Sequence, residues 1–115
     1  KYMTVADAFK LIRRICGELE TINLPLGDRL LYATHGHIYN MKNPPPLAPG
    51  DLLLHGHTHV PAWTAFGAGN LYLNPGSLSI PKENSPHGYM TLEGSRFQWK
   101  TLDGAVYHQL DLEEP

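Results

Sequence analysis

The segment "LLLHGHTH", Leu52–His59, constrains this chain more than any other: three leucines run into three histidines placed at alternate positions. A second segment, "LLYATHGH", Leu30–His37, repeats the design, with a short apolar strand that opens through glycine into histidines. A core has no use for several imidazoles, and a surface has no use for the leucines ahead of them. Both demands are met where short buried strands end at a crevice, which is where open α/β sheets put their ligands. Glycine at such an end permits backbone angles that other residues avoid and lets another group approach closely.

The remaining composition narrows the setting. At 115 residues the chain forms at most one domain, able to bury roughly two thirds of its unfolded surface. Apolar content of 42% and charged content of 17% describe a folded globular protein. A net charge of -2 argues against attraction to nucleic acid or anionic membrane. Cys16 is the only cysteine, which excludes an internal disulfide and fits a reducing cytoplasm. No apolar run approaches the ~20 residues of a membrane span, and no charged-then-apolar leader opens the chain. These features predict a cytoplasmic location. Lys1 is not an initiator methionine, so the expectation is a chain cut or truncated at its start.

Within "TVADAFKLIRRICGELE", Val5, Phe9, Ile12, Cys16 and Leu19 follow helical spacing and predict one amphipathic helix within residues 1–20, capped by Thr4. Its stripe is read as packing against a sheet, with Cys16 a small buried hydrophobe. Residues 21–115 read as strands and loops. A short strand turns at Gly27–Asp28 into a buried strand over Leu30–Ala33. "YNMKNPPPLAPGD" is a proline-stiffened loop. Leu52–Leu54 form the next strand, and "NLYLNPGS" is a third, closed by the Asn74–Ser77 turn, in which Pro75 fixes one backbone angle and Gly76 supplies a permissive one. "IPKENSPHG" is a further loop. From Gly88 onward alternation predicts an antiparallel meander, with turns at Glu93–Ser95 and at the Asp103–Gly104 pair.

In extended chain, residues i and i+2 face the same side. His57 and His59 are therefore expected to point into one site, joined by His35 from a neighbouring strand end. Neutral imidazole is a good ligand for zinc, manganese, iron or nickel. Gly56 is expected to bend the chain after His55, which makes His55 a strand-end residue rather than a ligand. His87 and His108 read as surface residues.

The ordered motifs THGH, GHTH and NPGS resemble those of the calcineurin-like metallophosphoesterases, most closely the small bacterial and archaeal phosphodiesterase branch, which shares its fold with the retromer small subunit. The resemblance covers roughly residues 22 to 112. It implies the C-terminal part of a four-layer α/β/β/α sandwich, a mixed sheet plus an antiparallel meander. It further implies metal-dependent hydrolysis of a phosphodiester or phosphomonoester by a hydroxide activated between two divalent ions, manganese first among them. On that pattern His35 and His57 bind the second metal and His59 the first, while His37 lies in the outer shell or near substrate.

The family pattern also contains an Asp-x-His, a Gly-Asp and a Gly-Asn-x-Asp/Glu motif after its first three strands, and none occurs in these positions here. Asp51 precedes its strand, and Gly27–Asp28 sits in a turn. The expectation is thus a single incomplete domain over residues 1–115, the C-terminal portion of a longer phosphoesterase, inactive alone and completed by an N-terminal segment or by oligomerisation. The alternative is a non-catalytic scaffold on the same fold. A structural zinc shared by Cys16 and the histidines is a third reading.

Overall fold

Apolar alternation decides where each strand faces. The computed structural model describes Val5 and residues 21–113. The helix expected within residues 1–20, and Cys16 with it, lies outside the described residues except for Val5, which is partly buried against the core. The described strands are β1 (Thr21–Leu26), β2 (Arg29–Thr34), β3 (Leu52–His55), β4 (Ala62–Phe66), β5 (Asn70–Asn74), β6 (Gly88–Glu93), β7 (Arg96–Thr101) and β8 (Val106–Asp111). They form a mixed five-stranded sheet in the order β1-β2-β3-β5-β4 and an antiparallel sheet in the order β6-β7-β8.

In the mixed sheet β2, β3 and β5 are parallel neighbours, with Leu31 beside Leu52 and Leu52 beside Leu71. The period of two therefore sets Leu31, Ala33, Leu52, Leu54 and Leu73 on one face, where they share a buried cluster with Met90, Phe97 and Trp99 of the second sheet. On the opposite face Leu53 lies between Tyr32 and Tyr72 in register, and Leu53 is also fully buried. A strand covered on both faces requires an unbroken apolar run, which is what the three leucines provide. β1 carries Pro25 at a sheet edge, where a missing N–H costs no ladder bond.

Trp99 ties the two sheets together. It is completely buried, and its indole N–H donates to the carbonyl of Asn74 at 2.8 Å. Trp63 of β4 lies edge-on to Trp99 and stacks flat on His108 of β8, with ring centres 3.7 Å apart. The edge of one sheet thus rests on a strand of the other.

The strands expected at Leu30–Ala33, Leu52–Leu54 and within "NLYLN", and the meander, are all present. Strand β4 was not expected. It is an edge strand whose residues Trp63, Thr64 and Ala65 remain exposed, so it has no buried alternation to announce it. The second meander turn is wider than an Asp-Gly hairpin. Residues 102–105 separate the strands, Thr101 N–H donates to Ala105 O, and a bulge falls between Trp99 and Lys100. His108, expected at the surface, is partly buried under Trp63.

Burial lowers the His108 imidazole below the ordinary histidine range. The unfolded chain therefore binds a proton more readily than the folded one, and stability falls as pH drops below about 6.5. Replacing His108 by Phe is expected to flatten the loss of melting temperature on going from about pH 7 to about pH 5. A slope identical to that of the unchanged protein would contradict this.

Candidate metal centre

Because β2, β3 and β5 are parallel and adjacent, their carboxyl ends open on one edge of the sheet. The loops that follow them carry THGH, GHTH and NPGS. His35 and His57 meet there, with ring centres 5.1 Å apart and planes at 65°. Two imidazoles on one tetrahedral ion at ~2.1 Å have ring centres roughly 5 Å apart, so this spacing suits a shared cation. His37 is also adjacent: its Nδ1 lies 2.9 Å from Nδ1 of His35. Two nitrogens on one ion sit roughly 3.3 Å apart, so the shorter contact is a hydrogen bond with one shared proton.

The GHTH segment is not extended, so the alternate-residue argument for His57 and His59 fails. Both residues have left-handed backbone, with φ of 68° and 62°. His57 occupies the centre of a γ-turn closed by Thr58 N–H donating to Gly56 O at 2.8 Å. Such positions cost about 1–3 kcal/mol each and persist only where the surroundings impose them.

Here the imposing group is the carbonyl of Gly56. Besides Thr58 N–H, it accepts from Asn74 Nδ2 at 3.1 Å and lies 2.9 Å from His55 Nδ1. A carbonyl cannot donate, so His55 Nδ1 carries the proton. Asn74 is fully buried and also contacts Thr58 Oγ1 and the Tyr72 hydroxyl, while its Oδ1 accepts from Gly76 N–H. Gly56 N–H donates to His35 O at 3.2 Å, which joins the two histidine loops directly. Burial, reinforced by His57 and opposed by the bond to Gly56, keeps the His55 imidazole below the usual range.

His59 makes no ring contact with the other histidines among the described residues. Its Nδ1–H donates to Ile80 O at 2.8 Å, and its own carbonyl accepts from Lys82 N–H. The proton on Nδ1 leaves Nε2 with the lone pair, the state a metal ligand requires. Asp51 lies at the opposite end of β3, where its carboxylate accepts from Leu30 and Ala48 N–H groups. The Gly27–Asp28 turn likewise precedes β2. Among the described residues, no three His, Cys, Asp or Glu side chains are grouped to hold a metal ion. The donors thus fit the imidazole part of a divalent-cation site and do not by themselves complete a two-metal site.

The sequence marks Asn74–Ser77 as a turn shaped by Pro75 and Gly76, but the anchoring of the GHTH loop by the Asn74 side chain was missed. A polar residue at the last position of a buried strand was the available signal.

A family model for the calcineurin-like phosphoesterase superfamily domain matches residues 6–96. The chain belongs to that superfamily. Within it, the chain is 44% identical over 68 residues to the phosphodiesterase YfcE of Escherichia coli K12, covering 59% of this chain and 36% of that protein. It is 28% identical over 99 residues to the probable metallophosphoesterase YsnB of Bacillus subtilis, covering 78% of this chain and 58% of that one. The solved structure of Yfce, a phosphoesterase from E. coli, superposes with a TM-score of 0.74 at 31% identity, over 83% of this chain and 52% of that one. The chain therefore spans only about a third to just over half the length of these relatives. The mixed and antiparallel sheets are those of the α/β metallophosphatase fold.

Asn74→Ala removes four side-chain polar contacts from a buried position, three at Nδ2, which shares its two protons among them, and one at Oδ1. It is expected to cost roughly 2–3 kcal/mol in denaturant unfolding. A cost below about 0.5 kcal/mol would contradict the role given to this side chain.

Proposed function

We propose that this chain carries the imidazole half of the metal centre of a phosphoesterase that hydrolyses a phosphodiester. The observation that carries the reading is the pairing of His35 with His57 at adjoining strand ends, at the separation two ligands of one cation require. The name of YfcE, a phosphodiesterase, supports the diester over the monoester. In this reading His35 and His57 hold one divalent ion. His59 offers Nε2 to a second, and manganese is the first candidate ahead of zinc, iron or nickel. A divalent ion at such a site supplies Lewis-acid polarisation of phosphoryl oxygen and a nucleophilic hydroxide near neutral pH.

The chain's own residues perform the positioning. The proton shared with His37 orients the His35 ring, and His37, exposed beside it, is the candidate to contact substrate. The γ-turn aims His57, and Ile80 O selects the His59 tautomer. In this reading the acidic co-ligands are supplied by a complementing segment that carries the family's Asp-x-His, Gly-Asp and Gly-Asn-x-Asp/Glu motifs. The substrate is a small phosphoester rather than nucleic acid, and the protein acts in the cytoplasm as one metallophosphoesterase domain. Among the described residues no helix is long and apolar enough to cross a membrane.

In the full-length protein, His57→Ala is expected to lower bound manganese and to reduce manganese-stimulated hydrolysis of a chromogenic phosphodiester by ~100-fold or more. Unchanged manganese occupancy would contradict the assignment. Absence of turnover in the unaltered protein with every divalent ion tried would favour the scaffold reading.

A further inference from the structure

His55 has no part in the ligand set, yet its environment is the most restrictive of any histidine in the chain. It is 5% exposed and lies opposite Thr34 in the parallel pairing of β2 with β3. One face of the ring lies on Tyr72, with ring centres 4.4 Å apart and planes 25° from parallel. Its Nδ1–H reaches the Gly56 carbonyl at 2.9 Å, next to His57. The ring also meets the THGH loop. A Cβ placed on Gly36 would lie 2.6 Å from His55 Nδ1, 3.0 Å from its Cγ and 3.2 Å from His57 Cβ.

Gly36, with φ of 112°, therefore rests its backbone directly against this imidazole, and it stands between His35 and His37. One ring thus touches both histidine-bearing loops and the strand end beneath them. A leucine, as at the three preceding positions, could fill volume but could not donate to Gly56 O. A longer donor such as glutamine could reach the carbonyl but offers no plane to stack on Tyr72. Imidazole supplies both.

We propose that His55 is a positioning residue, the spacer that sets the separation of His35 from His57 by holding Gly36 and Gly56 together against the Nδ1 edge of one buried ring. The inference rests on the metal-centre reading above. It also predicts a property of the metal-free protein, the protection of the Gly56 amide that donates to His35 O.

The test uses the full-length protein, with manganese alone as the probe. His55→Ala is expected to weaken manganese binding by ~10–100-fold. In the metal-free protein, exchange of the Gly56 amide should quicken by about tenfold or more. His55→Phe keeps the ring and loses the donor, and should fall between His55→Ala and the unaltered protein. Leu53→Ala is the control: this neighbour on the same strand is fully buried and is not among the side chains nearest either loop glycine. It should lower the melting temperature while leaving manganese affinity within about twofold.

Unchanged affinity and unchanged Gly56 exchange in His55→Ala would overturn the proposal. An equal loss of affinity in Leu53→Ala would also overturn it, because general loosening would then explain the effect. Should His55→Ala not fold, Gly36→Ala drives a methyl group against the same ring, and undiminished manganese affinity there would overturn the proposal equally. If His57→Ala retains manganese while His55→Ala still frees the Gly56 amide, the metal reading fails and the spacer role survives.

Discussion

The carbonyl oxygen of Gly56 is the point on which the site depends. Donors from Thr58, Asn74 and His55 converge on it, from the turn itself, from β5 and from the end of β3. Without them a left-handed His57 would relax toward ordinary backbone, because nothing in an isolated His-Gly-His sequence favours φ of 68°. With them the strain is held in large part by two buried side chains, those of His55 and Asn74. Asn74 can act as an anchor because Trp99 fixes its main chain from the second sheet. Core packing and site geometry are thus linked through one residue: the sandwich that buries Trp99 also orients the turn that presents His57.

This arrangement explains why the apolar runs and the histidines occur together. β3 is covered on both faces, so its leucines hold a strand end immobile while the residues after it turn outward. The parallel pairing of β2, β3 and β5 brings three such ends to one edge. The polar residues at the other end, Asp51 and Asn70, satisfy backbone groups of the neighbouring strand and loop instead. Charge and imidazole chemistry are segregated to opposite ends of the same strands.

Much of this was legible in the sequence. Alternation in "RFQWKT" and the unbroken run in "LLLH" report burial directly, since burial is what selects those residue types. His35 was expected to reach His57 from a neighbouring strand end, and the two rings do lie 5.1 Å apart. Strand β4 was invisible because an exposed edge imposes no pattern on residues such as Thr64 and Ala65. The extended-chain argument for His57 and His59 failed because positive φ in a non-glycine residue is imposed by distant partners, which a local reading cannot see. For the same reason His55 read as a bystander. Its importance lies in contacts with Gly36 and Tyr72, 19 positions before it and 17 after it in the chain. The helical pattern around Cys16 falls outside the described residues.

The account turns on two imidazoles, brought from separate loops by a shared set of buried donors, meeting at one cation. Anomalous diffraction at the manganese edge, from crystals of the full-length protein grown with manganese, tests this most directly. The account predicts a peak within roughly 2.0–2.3 Å of a ring nitrogen of both His35 and His57. Manganese bound elsewhere, with those two rings unliganded, would contradict it.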